Sequence, residues 1–230
     1  MNINRRFLIR SAVATGISSL LPKLANGLDR LLTPAQTKGP FYPIPEIEKQ
    51  AYFDFDLTRK GPDSPQANGR LIAIKGSVIG HDENPLGHSI VEVWQACETG
   101  RYNHPSDTND RPLDPNFQYW GRVRTGESGE FRFKTILPGK YPGRTPHIHF
   151  RILSPGRKEL ITQLYFGEYE ELNRKDPLYM SLNVVQRDGV TTHFENALSD
   201  PQDPSSESIP TGRFTIVLGD PEDAKSTPPM

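Results

Sequence analysis

Two histidines, His147 and His149, are separated by one residue in the run Pro146-His147-Ile148-His149-Phe150. On a β-strand that spacing aims both imidazoles at one face while Ile148 points to the other. Two imidazoles on one face are half of a metal site, but such pairs also serve as hydrogen-bonded surface residues, so the neighbours decide. Zinc or ferrous iron would ask for Asp or Glu beside them. None stands among the six residues before His147, where Tyr141-Pro142-Gly143-Arg144-Thr145 is found instead. A phenolate is a hard, anionic oxygen donor that suits a trivalent ion. A second tyrosine, Tyr102, follows Gly100-Arg101 just after a candidate strand that carries Trp94. Two phenolates and two neutral imidazoles would offset two of the three charges on Fe(III), and a bound hydroxide the third. The result would be a neutral, water-open, non-haem ferric centre. The competing reading sets each tyrosine at a turn, its ring on a sheet and its hydroxyl in water.

The elements that must carry these groups read as β-strands. Arg70–Ile79, Ser89–Ala96, Glu130–Phe133, His147–Leu153, Glu159–Phe166 and Arg213–Leu218 show apolar alternation or β-branched runs. Turn signals separate them, among them Asp82-Glu83-Asn84-Pro85-Leu86-Gly87, Glu127-Ser128-Gly129 and Leu137-Pro138-Gly139. Residues 103–119 read as a long loop, and a short helix is expected over Tyr169–Asn173 or Pro177–Leu182. Leu31–Ser64 is polar and proline-rich and is expected to wrap around the rest. The fold class is therefore all-β, an antiparallel β-sandwich with long loops and an irregular N-terminal segment.

Composition agrees. The 230 residues include 19 Gly and 22 Pro, high for a helical bundle and natural for many short strands joined by turns. With 27 Lys and Arg against 28 Asp and Glu, the net charge of -1 offers no basic footprint, and nucleic acid is not expected as a partner. A single cysteine, Cys97, rules out an internal disulfide framework and any Cys-x-x-Cys zinc site. It reads as a small buried thiol at a strand end. The chain opens on Arg5-Arg6-Phe7-Leu8-Ile9-Arg10 and a mild apolar stretch over residues 11–21, too short to span a bilayer. This looks like a twin-arginine export signal over residues 1–30, giving a periplasmic or secreted protein without a stable membrane anchor. The core domain is expected over residues 31–220, with a disordered tail over 221–230.

Gly39-Pro40-Phe41-Tyr42, Val91-Glu92-Val93-Trp94-Gln95-Ala96, Gly100-Arg101-Tyr102, Pro138-Gly139-Lys140-Tyr141-Pro142, Arg144-Thr145-Pro146-His147-Ile148-His149-Phe150 and Thr162-Gln163-Leu164-Tyr165-Phe166 occur in this order. Together they resemble the signature blocks of the intradiol ring-cleavage dioxygenases, and within them the branch like the β-subunit of protocatechuate 3,4-dioxygenase. The resemblance implies Tyr102, Tyr141, His147 and His149 as ligands of Fe(III), with Tyr141 and His149 axial. It implies Arg144 and Gln163 beside the substrate ring and Trp94 near the metal. It also implies a catechol-type diol and O2 as substrates, deprotonation of the diol with Tyr141 as one proton acceptor, and a cis,cis-muconate type diacid as product. Assembly into like copies or with an unlike subunit is left open. Only six positions separate Tyr141 from His147. Relatives of this kind carry a longer insertion there, so a more open, shallower pocket is expected. The rival reading is a non-enzymatic β-sandwich binding module, because Gly76–Val93 and Gly129–Tyr141 also resemble prealbumin-like domains. A serine hydrolase is not supported, since no Gly-x-Ser-x-Gly elbow is present.

Overall fold

The computed structural model describes residues 31–44, 54–196 and 209–220. The expected export signal and C-terminal tail lie outside them. Among the described residues, nine strands form two sheets. In chain order they are β1 (Leu71–Gly80), β2 (Ile90–Trp94), β3 (Trp120–Arg124), β4 (Glu130–Ile136), β5 (His147–Leu153), β6 (Leu160–Phe166), β7 (Thr191–Thr192), β8 (Phe194–Asn196) and β9 (Pro210–Leu218). One sheet runs β4-β1-β9-β8 and the other β3-β2-β5-β6-β7.

Period-2 alternation sorts the side chains between core and site. From the first sheet Ile74, Val78, Phe131, Phe133 and Ile216 point inward; from the second come Val91, Val93, Ile148, Phe150, Ile152 and Leu164. Burying a side chain such as Phe150 contributes about 1.5–3 kcal/mol, and its truncation to Ala would cost about 3–5 kcal/mol. The intervening residues of the second sheet face away from this core, yet Glu92, Trp94, His147, His149, Gln163 and Tyr165 are all buried. Loops and short helices cover that outer face. Register then sets neighbours: Trp94 lies opposite His149, His149 opposite Gln163, and His147 opposite Tyr165.

The expectation of an antiparallel sandwich needs one correction. β1 pairs with β9 in parallel, and β6 with β7 in parallel. Both pairs are joined by long connections, which parallel neighbours require and tight hairpins cannot supply. The wrapping expected of the N-terminal segment holds for its described parts: Thr33 N–H donates to Val217 O and Gln36 N–H to Ile161 O, at 3.0 and 2.8 Å. The short helix expected at one of two places forms at both, as a 3-10 turn (Gly167–Tyr169) running into α1 (Glu170–Asn173), and as α2 (Pro177–Met180). A third, α3 (Val184–Val190), was not expected; Asn183 and Gln186 close a reciprocal cap at its start. β3, too, lay in a stretch with no assigned element.

Candidate active site

The four residues that the sequence marks as donors meet on the outer face of the five-stranded sheet. β5 supplies His147 and His149, whose Nε2 atoms lie 3.2 Å apart. His147 Nδ1 sits 2.7 Å from Thr145 O. A carbonyl only accepts, so Nδ1 carries the proton and Nε2 keeps its lone pair toward the site. Tyr141 Oη is 3.4 Å from His147 Nε2. The ring of Tyr102 lies 5.8 Å from that of Tyr141 and 6.3 Å from that of His149, centroid to centroid.

Loop geometry brings the tyrosines in. Gly100, at φ 84°, and Gly139 cross so closely that a Cβ on Gly100 would run into Lys140 O, and one on Gly139 into Glu98 O and Gly100 N. Cys97 O accepts from both Gly100 N and Gly139 N at 2.9 Å, tying the Tyr102 loop to the Tyr141 loop. Cys97 is itself buried, as expected. Asp107 Oδ2 accepts from Tyr102 N at 2.7 Å. The solvent-facing reading of Tyr102 does not hold, since the residue is 3% exposed.

Burial dominates the electrostatics. It holds the Tyr102 phenol well above its ordinary range, with Tyr141 adding to the effect. It also raises Tyr141, against the pull of Arg144. Burial and then Arg144 push His147 down to about 3; burial, His147 and Arg144 hold His149 well below its usual value. In the bare protein the site is thus two neutral phenols and two neutral imidazoles. Tyr102 Oη and His149 Nδ1 are buried without a hydrogen-bond partner; Tyr141 disfavours a phenolate at Tyr102 without forming a bond of normal geometry. A cation at the centre would reverse the phenol preference and satisfy the orphaned oxygen. No three His, Cys, Asp or Glu gather as a metal site among the described residues. A metal held by the two imidazoles would have the phenol oxygens as its anionic donors, and that two-nitrogen, two-oxygen set suits a hard trivalent ion.

The remaining marked residues surround this set. Trp94 stacks on His149 at 4.7 Å with 7° between planes. Arg144 places NH1 3.3 Å from Tyr141 Oη and NH2 2.6 Å from Gln163 Oε1. All seven marked residues converge. Three groups went unmarked. Tyr165 follows Gln163 by one alternation, and its hydroxyl donates to Gln36 Oε1 at 2.8 Å. Asp176 holds Arg144 Nε at 2.8 Å; its place before Pro177 was the available signal. Glu92, 2% exposed, accepts from Tyr42 at 2.9 Å and pairs with Arg151 at 3.3 Å. The Tyr42 ring in turn stands edge-on to Trp94 at 4.9 Å. A cavity of about 300 Å3 opens beside Tyr141 and Arg144 and is also lined by Arg111, Lys140, Leu172 and Lys175. A larger groove, about 560 Å3, lies over β4, β1 and β9 with Lys75, Arg132 and Arg213 and touches none of the marked residues.

Comparison with known proteins agrees with this arrangement. Residues 39–218 match the family model described as a dioxygenase. The chain is 36% identical over 162 residues to the protocatechuate 3,4-dioxygenase beta chain of Burkholderia cepacia, spanning 67% of this chain and 68% of that one. It is 27% identical over 150 residues to a catechol 1,2-dioxygenase of Acinetobacter baylyi, spanning 57% of this chain but 45% of the relative. Among solved structures, the dioxygenase domain of a dioxygenase and carbohydrate-binding fusion from Streptomyces sp. SirexAA-E superposes with a TM-score of 0.60. It has 28% identity and spans 82% of this chain and 99% of that one. Fold and relatives together define a dioxygenase built on a β-sandwich. The chain belongs to the intradiol ring-cleavage dioxygenase family. This is a family of enzymes, and the reading as a non-enzymatic binding module falls away.

Proposed function

We propose that the protein is a non-haem Fe(III) intradiol dioxygenase that opens catechol-type aromatic diols with O2 to cis,cis-muconate type diacids. The observation that carries the proposal is the meeting of Tyr102, Tyr141, His147 and His149, with an orphaned phenol oxygen and two imidazole Nε2 atoms 3.2 Å apart among them. Bound there, ferric iron supplies a Lewis-acidic, redox-active centre at which a chelated diol can react with O2.

The chain's own residues do the rest. His147, locked by Thr145 O, and His149, stacked on Trp94, hold their Nε2 atoms in place. Tyr102 is the fixed anionic donor, walled in by Phe41 at 4.8 Å. Tyr141 borders the cavity; ionised to a phenolate when the metal is bound, its Oη would accept one proton from the incoming diol. Arg144 aims NH1 at Tyr141 Oη and NH2 at Gln163 Oε1, where its charge can stabilise negative charge that builds on the ring. Gln163 lies behind that ring, held by its bonds to Arg144 NH2 and, at 3.2 Å, to Thr37 O. Pro142 and Gly143, the short link between Tyr141 and Arg144, line the cavity beside them.

Export by the twin-arginine route, to the periplasm or beyond, belongs to the same proposal and rests on Arg5-Arg6 and the apolar stretch behind them. The Burkholderia relative is named as a beta chain, which supports a partner subunit, like or unlike. Oxygen uptake by iron-loaded protein against catechol, protocatechuate, hydroxyquinol and bulkier diols tests the function. One O2 consumed per diol, with a ring-opened diacid, is expected. Tightly bound iron with no uptake on any diol would sink the proposal.

A further inference from the structure

Arg144 reaches two functional partners at once, and a long flexible side chain does that only when something fixes the orientation of its planar head. Asp176 meets that need. Its Oδ2 accepts from Arg144 Nε at 2.8 Å, which turns the NH1 and NH2 edge toward Tyr141 Oη, Gln163 Oε1 and Tyr165 Oη, the last at 3.4 Å. The carboxylate is itself immobile. Oδ2 also accepts from Thr145 N at 3.1 Å, and Oδ1 accepts from Leu178 N and Tyr179 N at 2.9 and 3.2 Å as the cap of α2. The Asp176 side chain is 0% exposed and that of Arg144 13%, so water competes little for either. Thr145 Oγ1 donates to Asn173 Oδ1 at 2.8 Å, anchoring the segment that runs into His147 to the end of α1.

We propose that Asp176 is a positioning residue, whose buried carboxylate orients Arg144 against Tyr141 and Gln163 and balances its charge. Charge balance matters because an uncompensated guanidinium would turn toward the nearest developing anion, the Tyr141 oxygen, and leave Gln163. This rests on the function proposed above, but the orientation itself does not depend on the metal.

Asp176→Asn tests it, since Asn still caps a helix but presents either an amide N–H or a neutral oxygen to Arg144 Nε. Substitutions in the shell behind a metal site commonly cost 10- to 100-fold in activity. That range is expected for kcat/KM in the native background, with iron content unchanged and a displaced visible phenolate band. In an Arg144→Ala background the same change should cost less than about threefold, because the group it orients is gone. Asp176→Ser, which caps α2 but is too short to reach Nε, should behave like Asn. The metal-free protein gives an independent reading: the Arg144 Nε–H resonance should be sharp and protected in the native chain and lost in Asp176→Asn. If that resonance survives, or if Asp176→Asn costs equally with and without Arg144, Asp176 is only a helix cap and the proposal is wrong. A native protein that takes up no iron, yet keeps the Nε–H signal, would overturn the dioxygenase reading and leave the orientation standing.

Discussion

Tyr102→Phe separates a reserved metal ligand from an ordinary buried tyrosine. The hydroxyl is buried with no hydrogen-bond partner, and Trp94, Ala96 and Trp120 pack around the residue. A buried hydroxyl left unpaired costs about 1–3 kcal/mol. Deleting it leaves the ring and its contacts in place, so metal-free Tyr102→Phe should be more stable than the native protein by about 1 kcal/mol or more. For a domain of this size each kcal/mol moves Tm by roughly 2–4 °C. The same substitution removes one of two anionic donors, so ferric affinity should fall and the visible absorption of the loaded protein should weaken. Thermal and urea unfolding of chelator-treated protein, alongside an iron titration followed by absorbance, reads both effects. A variant that is less stable without metal, or that binds iron unchanged, would show that the hydroxyl has a partner in the fold and is not held for a cation.

Other expectations follow from the same geometry. Gly139→Ala drives a Cβ into Glu98 O and Gly100 N; overpacking of this kind costs about 1–3 kcal/mol, and iron per chain should drop as the two tyrosine loops part. Metal-free protein should lose stability as pH falls from about 6.5 toward 3. His147 is neutral in the fold down to about 3, whereas an unfolded histidine takes a proton near 6.5. The unfolded state therefore binds more protons in that window, by up to about 1.4 kcal/mol per pH unit per histidine; a urea midpoint unchanged between pH 7.5 and 5 would contradict this. Glu92→Gln weakens the hold on Tyr42 and Arg151. With Glu159 still pairing Arg151 at 2.8 Å, the expected loss is about 1–3 kcal/mol, measured by denaturant unfolding.

The strands that carry the site were legible because one face of each is apolar: His147–Leu153 coincides with its expected bounds, and Leu160–Phe166 begins one residue late. β3 was not, because Trp120-Gly121-Arg122-Val123-Arg124 has a glycine and two arginines and becomes a strand by pairing with β2. The parallel placement of β9 beside β1 follows from packing after a long connection, which no local pattern records. For α3 the cap residues Asn183 and Gln186 were visible, but Val184 and Val185 are exposed at 74% and 58% and show no buried stripe. Within the site, the His-x-His spacing put both imidazoles on one face of a strand but left the metal reading to the neighbouring residues. Tyr102 and Tyr141 needed the family resemblance, because what joins them is the crossing of Gly100 and Gly139, 39 positions apart. Asp176 lies 32 positions from Arg144, and its charge pairing is a fact of the fold alone.

The claim at the centre is that two phenol oxygens and two imidazole nitrogens bind one ferric ion. Resonance Raman spectroscopy of the iron-loaded protein, excited in its visible band, tests it most directly. Tyrosinate ring modes from two residues are expected, one set lost in Tyr102→Phe and the other in Tyr141→Phe. Iron bound at one per chain with no tyrosinate modes, or with modes that survive both substitutions, would contradict the account.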